Sequence, residues 1–169
     1  MKQLLFIFCA LIVLTGYDPV TDEVYYDEYR PIVVSRDVLE ASVSLESQRA
    51  LENPGRIYLK GDYLYIVEKF KGVHVINNAD PSNPLNSGFI RIPGCLNMAI
   101  KGDLMYADNS VDLVSVDISS TNSIHVVNRK RNVFPEPTPP NDSYIPWQYE
   151  RNNRPENTFI VDYVKVEEE

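Results

Sequence analysis

Between Arg56 and Pro135 the apolar and polar positions follow one pattern written twice. Ile57, Leu59, Tyr63, Tyr65 and Val67 alternate with polar neighbours, the period of half-buried strands. Denser apolar stretches follow at Val73 and Val75 and again at Leu113, Val114 and Val116, as suits strands covered on both faces. Leu85–Ile92 and Ser123–Asn128 predict a closing strand for each copy. Lys60-Gly61-Asp62 returns as Lys101-Gly102-Asp103, and Tyr65 as Tyr106, 41 positions on. Val73, Ile76 and Asn77 match Leu113, Val116 and Asp117 at a spacing of 40, so one residue is missing from the intervening loop. Each Gly-Asp pair lies between apolar runs, where glycine supplies the positive φ of a tight hairpin. Asp80-Pro81-Ser82-Asn83-Pro84 marks a further turn.

The flanks predict less. Ser35 is placed to N-cap a short helix through Ala41, with Asp37 near its positive end. Val43 and Leu45 predict a strand that stops before the turn Asn53-Pro54-Gly55. The prolines from Pro135 onward break regular structure, so 135–157 is expected to be a long loop. Phe159, Val161 and Tyr163 then alternate with polar residues in a last strand within 158–169. At the other end, residues 1–16 read as an export signal: Lys2, an apolar run from Leu4 to Leu14, then small residues. Residues 17–34 are acidic and rich in tyrosine, as a linker would be. The organised part is therefore expected over 35–134, with repeat units at about 56–95 and 96–134.

A unit of about 40 residues is the size of a four-stranded propeller blade. The runs GVHVINNADPSNP (72–84) and LVSVDISSTNS (113–123) resemble the LVIVD repeat, an apolar strand ending in Asp and followed by a D-P-S-N-P turn. The longer run from Asn53 to Pro84 is similar to Bacteroidetes-type exported, lipoprotein-like proteins that carry several such repeats. The resemblance implies an all-β fold of β-propeller-like antiparallel blades. Two departures stand out: Asn77 replaces the family's Asp, and Ser120-Thr121-Asn122-Ser123-Ile124 replaces the second D-P-S-N-P turn. The family's lipid-carrying cysteine is also missing, since Tyr17 follows Leu14-Thr15-Gly16. Two blades fall short of the roughly four to eight that close a propeller. The expectation is an incomplete propeller, from an N-terminal portion of a longer product, from copies that self-assemble, or from an open pair of sheets.

Composition narrows the function classes. The 169 residues carry a net charge of −8, which argues against nucleic acid as a partner, because phosphate binding needs a basic face. The charges are interspersed apart from Glu167-Glu168-Glu169. Of the two cysteines, Cys9 lies in the signal, so Cys95 has no partner for a disulfide and is expected to be a small buried hydrophobe. His74 and His125 fall on predicted strands and are read as structural. Asp108 and Asp112, four apart in a predicted loop, could hold calcium weakly but lack the glycine and terminal glutamate of an EF-hand. No catalytic, cofactor-binding or metal-ligating set is assigned. In the proline-rich loop, Trp147 either pins the chain to the sheets or, with Tyr144, Tyr149 and Arg151, forms a partner contact. The expected function is a non-enzymatic binding or scaffold module of the cell envelope that contacts a protein or glycan, touching the membrane only through an uncleaved signal segment. The alternative is a fragment of a secreted propeller hydrolase or lyase with its active site in other blades.

Overall fold

A computed structural model of the chain describes residues 28–166. The expected signal (1–16), most of the expected linker and the acidic tail lie outside the described residues. Strand β1 (Tyr29–Ser35) leads into helix α1 (Arg36–Glu40) and strand β2 (Ser44–Glu46). Two meanders follow: β3 (Pro54–Lys60), β4 (Tyr63–Glu68), β5 (Gly72–Asn77) and β6 (Leu85–Arg91), then β7 (Met98–Lys101), β8 (Leu104–Asn109), β9 (Asp112–Asp117) and β10 (His125–Lys130). A 3-10 turn at Trp147–Tyr149 interrupts the proline-rich loop, and β11 (Thr158–Lys165) ends the described chain.

The strands form three antiparallel sheets: a five-stranded one in the order β2-β6-β5-β4-β3, a four-stranded one in the order β10-β9-β8-β7, and a ribbon of β1 with β11. The protein is thus all-β apart from α1 and the single turn, and the described residues form no closed propeller. Each repeat corresponds to one meander. Gly61 and Gly102 take φ of 54° and 61° in matching hairpins, where Lys60 pairs with Tyr63 and Lys101 with Leu104. The missing residue lies in the next hairpin. Lys69-Phe70-Lys71 joins β4 to β5, whereas Ser110-Val111 alone joins β8 to β9. Phe70 and Ser110 hold the same left-handed conformation in the two hairpins, at φ 67° and 59°.

The two larger sheets share one core. Tyr65, Val67, Val73 and Val75 face Met105, Ala107, Val114 and Val116 across it, with Ile90, Ile92 and Cys95 also buried. Removing each of the valine, isoleucine and methionine side chains from water is worth about 1.5–3 kcal/mol. The contacting faces are not equivalent in the repeat. Met105 and Ala107 occupy the places of Leu64 and Ile66, while Tyr65 corresponds to Tyr106. The sheets therefore stack front to back.

Two expectations need correction. Ile57 and Leu59 are 64% and 61% exposed rather than half-buried, because β3 is an edge strand and they point away from the shared core. Tyr58 faces the core instead and donates through its hydroxyl to the Ile100 carbonyl at 2.8 Å. The linker expected over 17–34 becomes strand from Tyr29, because β11 supplies the pairing edge that sequence adjacency does not show. α1 matches its prediction, with the Ser35 hydroxyl accepting from the Val38 amide at 3.5 Å.

The ribbon lies across the tips of the β4–β5 and β8–β9 hairpins. The Phe70 ring meets Tyr163 edge-on at 5.8 Å, and the Ser110 hydroxyl donates to the Ile160 carbonyl at 2.6 Å. Val111 packs with Leu39, Phe159 and Val161. A bulge between Ile32 and Val33 leaves Val161 unpaired and puts Tyr163 on the same side as Ile160. Hence β11 is buried on both faces, a burial its simple alternation does not predict.

Candidate functional site

The chemistry-bearing side chains gather where β10, α1 and the end of the proline-rich loop meet. Asp112 opens β9 with its side chain fully buried. It accepts from Arg36 at 2.6 Å, from Arg129 at 2.9 Å and from the Asn132 amide at 3.0 Å. Burial works against its charge, but the Asn132 amide and the two guanidinium groups outweigh it and hold the carboxyl below its ordinary value. Arg129 also donates to Asn109 at 2.8 Å, and Asn109 donates to the Pro93 carbonyl at 2.7 Å. A buried carboxylate so fully bonded fixes the two arginines rather than offering itself to a ligand.

The loop is held by a second pair. Arg154 and Glu136, both nearly buried, form an ion pair, and Arg154 also donates to the carbonyls of Tyr149 at 2.8 Å and Thr158 at 3.1 Å. The Tyr163 hydroxyl donates to the Pro137 carbonyl at 2.8 Å. Burial and the nearby Glu136 push the Tyr163 phenol well above its ordinary value.

Between these two anchors lies a cavity of ≈580 Å³ lined by Arg36, Arg131, Arg151, Arg154, Asn132 and Phe159, among others. Arg36 lies over the Phe159 ring, 3.9 Å from its centre, and Arg151 lies over it at 5.8 Å. Glu156 is the single acidic residue of the lining. Arg131 turns back to Glu40 at 2.7 Å but remains mostly exposed, as does Arg151. Each arginine also has a carboxylate neighbour, Arg36 with Asp112, Arg131 with Glu40, and Arg154 and Arg151 with Glu136, so the wall is rich in guanidinium groups whose charge is largely matched. Such a wall can receive a carboxylate or another oxyanion, with fork-shaped guanidinium groups donating to it.

Of the residues singled out from the sequence, Arg151 lines this cavity. Tyr144 is 94% and Trp147 72% exposed, and Tyr149 is half-buried. Trp147 therefore does not pin the loop. Arg154, Glu136 and the buried Pro137 and Pro139 do so instead. The arginines at 36, 131 and 154 are absent from the sequence-level assignment. The signal for Arg131 and Arg154 was the basic run Arg129-Lys130-Arg131 and the pair Arg151 and Arg154, which flank the proline-rich stretch, whereas Arg36 lies in neither.

The other candidates are used internally. Asp108 and Asp112 sit on opposite faces of a tight hairpin rather than in one loop, so they do not form a shared calcium site. Asp108 accepts from the Leu96 and Asn97 amides at 2.9 and 2.8 Å, while burial raises its carboxyl above the ordinary value. Among the described residues there is no group of three or more His, Cys, Asp or Glu that could hold a metal ion. His74 does meet an acid, Glu68, at 3.1 Å, but both are buried. Glu68 also accepts from the Glu52 and Asn53 amides, so the pair braces the segment that crosses the sheet to β3. His125 is exposed on β10. Cys95 is buried, and that burial pushes its thiol well above the ordinary value.

Fold and site together define an all-β antiparallel protein with an arginine-lined surface cavity. Comparison with family models, curated proteins and solved structures yields no match to this chain.

Proposed function

We propose that the chain is a non-enzymatic, exported cell-envelope binding module built on LVIVD-type, propeller-like blades, and that it takes an acidic glycan at the arginine-lined cavity. The repeat supports the blade reading: two meanders match two copies of one sequence unit and stack front to back. The observation that carries the ligand class is the cavity wall, where the mostly exposed guanidinium groups of Arg131 and Arg151 stand beside Arg36 and Phe159. Exposed Tyr144 and Trp147 on the adjoining loop add aromatic faces on which a sugar ring can stack.

Trp147 is the single tryptophan and lies four residues from Arg151, so its emission reports on this site directly. The full chain is titrated with a soluble polyuronate and with a neutral glucan of similar size. The expected result is a saturable emission change with the polyuronate alone, weakening as salt is added. Arg131→Ala combined with Arg151→Ala, both at mostly exposed positions, should lower affinity about tenfold or more, or about 1.4 kcal/mol. Equal binding of both polymers, or of neither, sinks the proposal. Binding of acidic peptides in preference to the polyuronate would replace the glycan by a protein partner.

A further inference from the structure

Helix α1 borders a second cavity. Arg36 lines the arginine-rich one, whereas Val38, two residues on and so on nearly the opposite side of the helix, lines a cavity of ≈300 Å³. The two cavities share no lining residue. Much of the second is apolar. Ile32 and Val34 come from β1, Val38 from α1 and Val161 from β11, with Phe70 and Pro93 at the end of the five-stranded sheet. Phe70, Pro93 and Val161 are buried, but Ile32 and Val38 remain 38% and 54% exposed. An apolar chain laid against them would release the water that now covers them.

The polar lining is unevenly matched. Lys71 is paired with Asp162, the single acidic residue of this lining. Arg91 donates to the Ser42 carbonyl at 3.0 Å, and its carboxylate neighbour Glu46 stands 3.7 Å away with both side chains well exposed, a weak pairing. Arg49 lies over the Phe89 ring, 4.8 Å from its centre, and forms no ion pair among the described residues. Its guanidinium group therefore has donors to spare at the mouth of an apolar slot.

We propose that this cavity binds an aliphatic carboxylate, with its chain against Ile32, Val34 and Val38 and its head at Arg49 and Arg91. The carboxylate supplies the acceptor that Arg49 lacks, and the chain covers the exposed part of the wall. The volume lies at the lower end of the range for small-molecule sites, about 300–1,000 Å³, which suits a chain of medium length. The site uses none of the arginines of the other cavity, so its failure leaves the glycan proposal untouched.

The test titrates the full chain, labelled at its isoleucine, leucine and valine methyl groups, with octanoate, 1-octanol and acetate, and follows the methyl resonances. Octanoate should shift Ile32, Val34 and Val38 saturably, while the alcohol and acetate bind at least about tenfold more weakly, each lacking one half of the recognition. Arg49→Glu should weaken octanoate about tenfold or more, and Val38→Asp should abolish the shifts of Ile32 and Val34. Both positions are exposed, so circular dichroism should show an unchanged fold. Equal binding of octanol would reduce the site to an apolar slot, and equal binding of acetate to a cationic one. Either result overturns the proposal. So do octanoate shifts confined to exposed Ile57 and Leu59, indifference to Arg49→Glu, or no shift at all.

Discussion

At the scale of single residues, Asp108, partly buried, and Asp112, fully buried, have opposite thermodynamic signs. The folded-state pKa of Asp112 is depressed, so its contribution is present above the unfolded value near 3.8 and is lost as pH falls through the lower folded value. Asp108 is raised, so its charge opposes folding at neutral pH, and that penalty disappears as the group is protonated in acid. Asp112→Asn should lower stability at pH 7 by about 3–5 kcal/mol, since it strands two buried guanidinium groups. Asp108→Asn keeps an acceptor for the Leu96 and Asn97 amides and should be neutral or stabilising at pH 7. Urea denaturation of both variants at pH 7 and pH 3.5 checks the signs. The gap between them should narrow at the lower pH, and a gap that widens would show that the two roles are misassigned. Neither role was legible in the sequence, where both residues looked like exposed loop acids. A hairpin places consecutive residues on opposite faces, and which face is buried depends on the partner sheet.

At the scale of elements, the repeat predicted most of the strands and the hairpins with their glycines. Strand ends moved by a residue or two, as at β10, which begins at His125 rather than Ser123. What the pattern could not show was edge position. Ile57 and Leu59 have the alternation of a buried strand, yet no neighbouring sheet covers their face. Close approaches were equally hidden. Gly94, in the connection between the meanders, takes φ 78°, and a Cβ there would come within 2.7 Å of the Ser110 amide nitrogen. Gly94→Ala therefore combines a left-handed penalty of about 1–2 kcal/mol with a backbone clash. Its midpoint in chemical denaturation should correspond to a loss of more than about 2 kcal/mol. Gly102→Ala shares the left-handed φ but meets nothing within 4 Å, and should cost visibly less. Equal losses would mean that conformation alone, and not the approach to Ser110, sets the requirement.

At the scale of the whole molecule, the candidate site was only partly legible. Arg151 and the aromatic residues of the loop were visible as an unusual cluster, and the basic run at Arg129–Arg131 could have been weighed with them. Arg36 could not, because only the pairing of β1 with β11 brings α1 beside that loop. The same ribbon joins distant parts of the chain into one body. Ile160 is fully buried between it and the hairpin tips, so Ile160→Ala should cost about 2–5 kcal/mol. Calorimetry should show one transition at a lower temperature. Two separated transitions would mean that the ribbon is an appendage rather than part of the cooperative unit.

The ribbon also has a mechanical direction. Tyr29 pairs with Lys165 at one end of it, and Ser35 with Thr158 at the other. Tension applied through the chain before Tyr29 and after Lys165 therefore meets the hydrogen bonds one pair at a time, as in opening a zip, rather than all together in shear. The clasp yields before either larger sheet is loaded. Its release uncovers Phe70, Val111 and the arginines around Phe159 while the two meanders stay folded, so a pull on the chain would dismantle the cavity first.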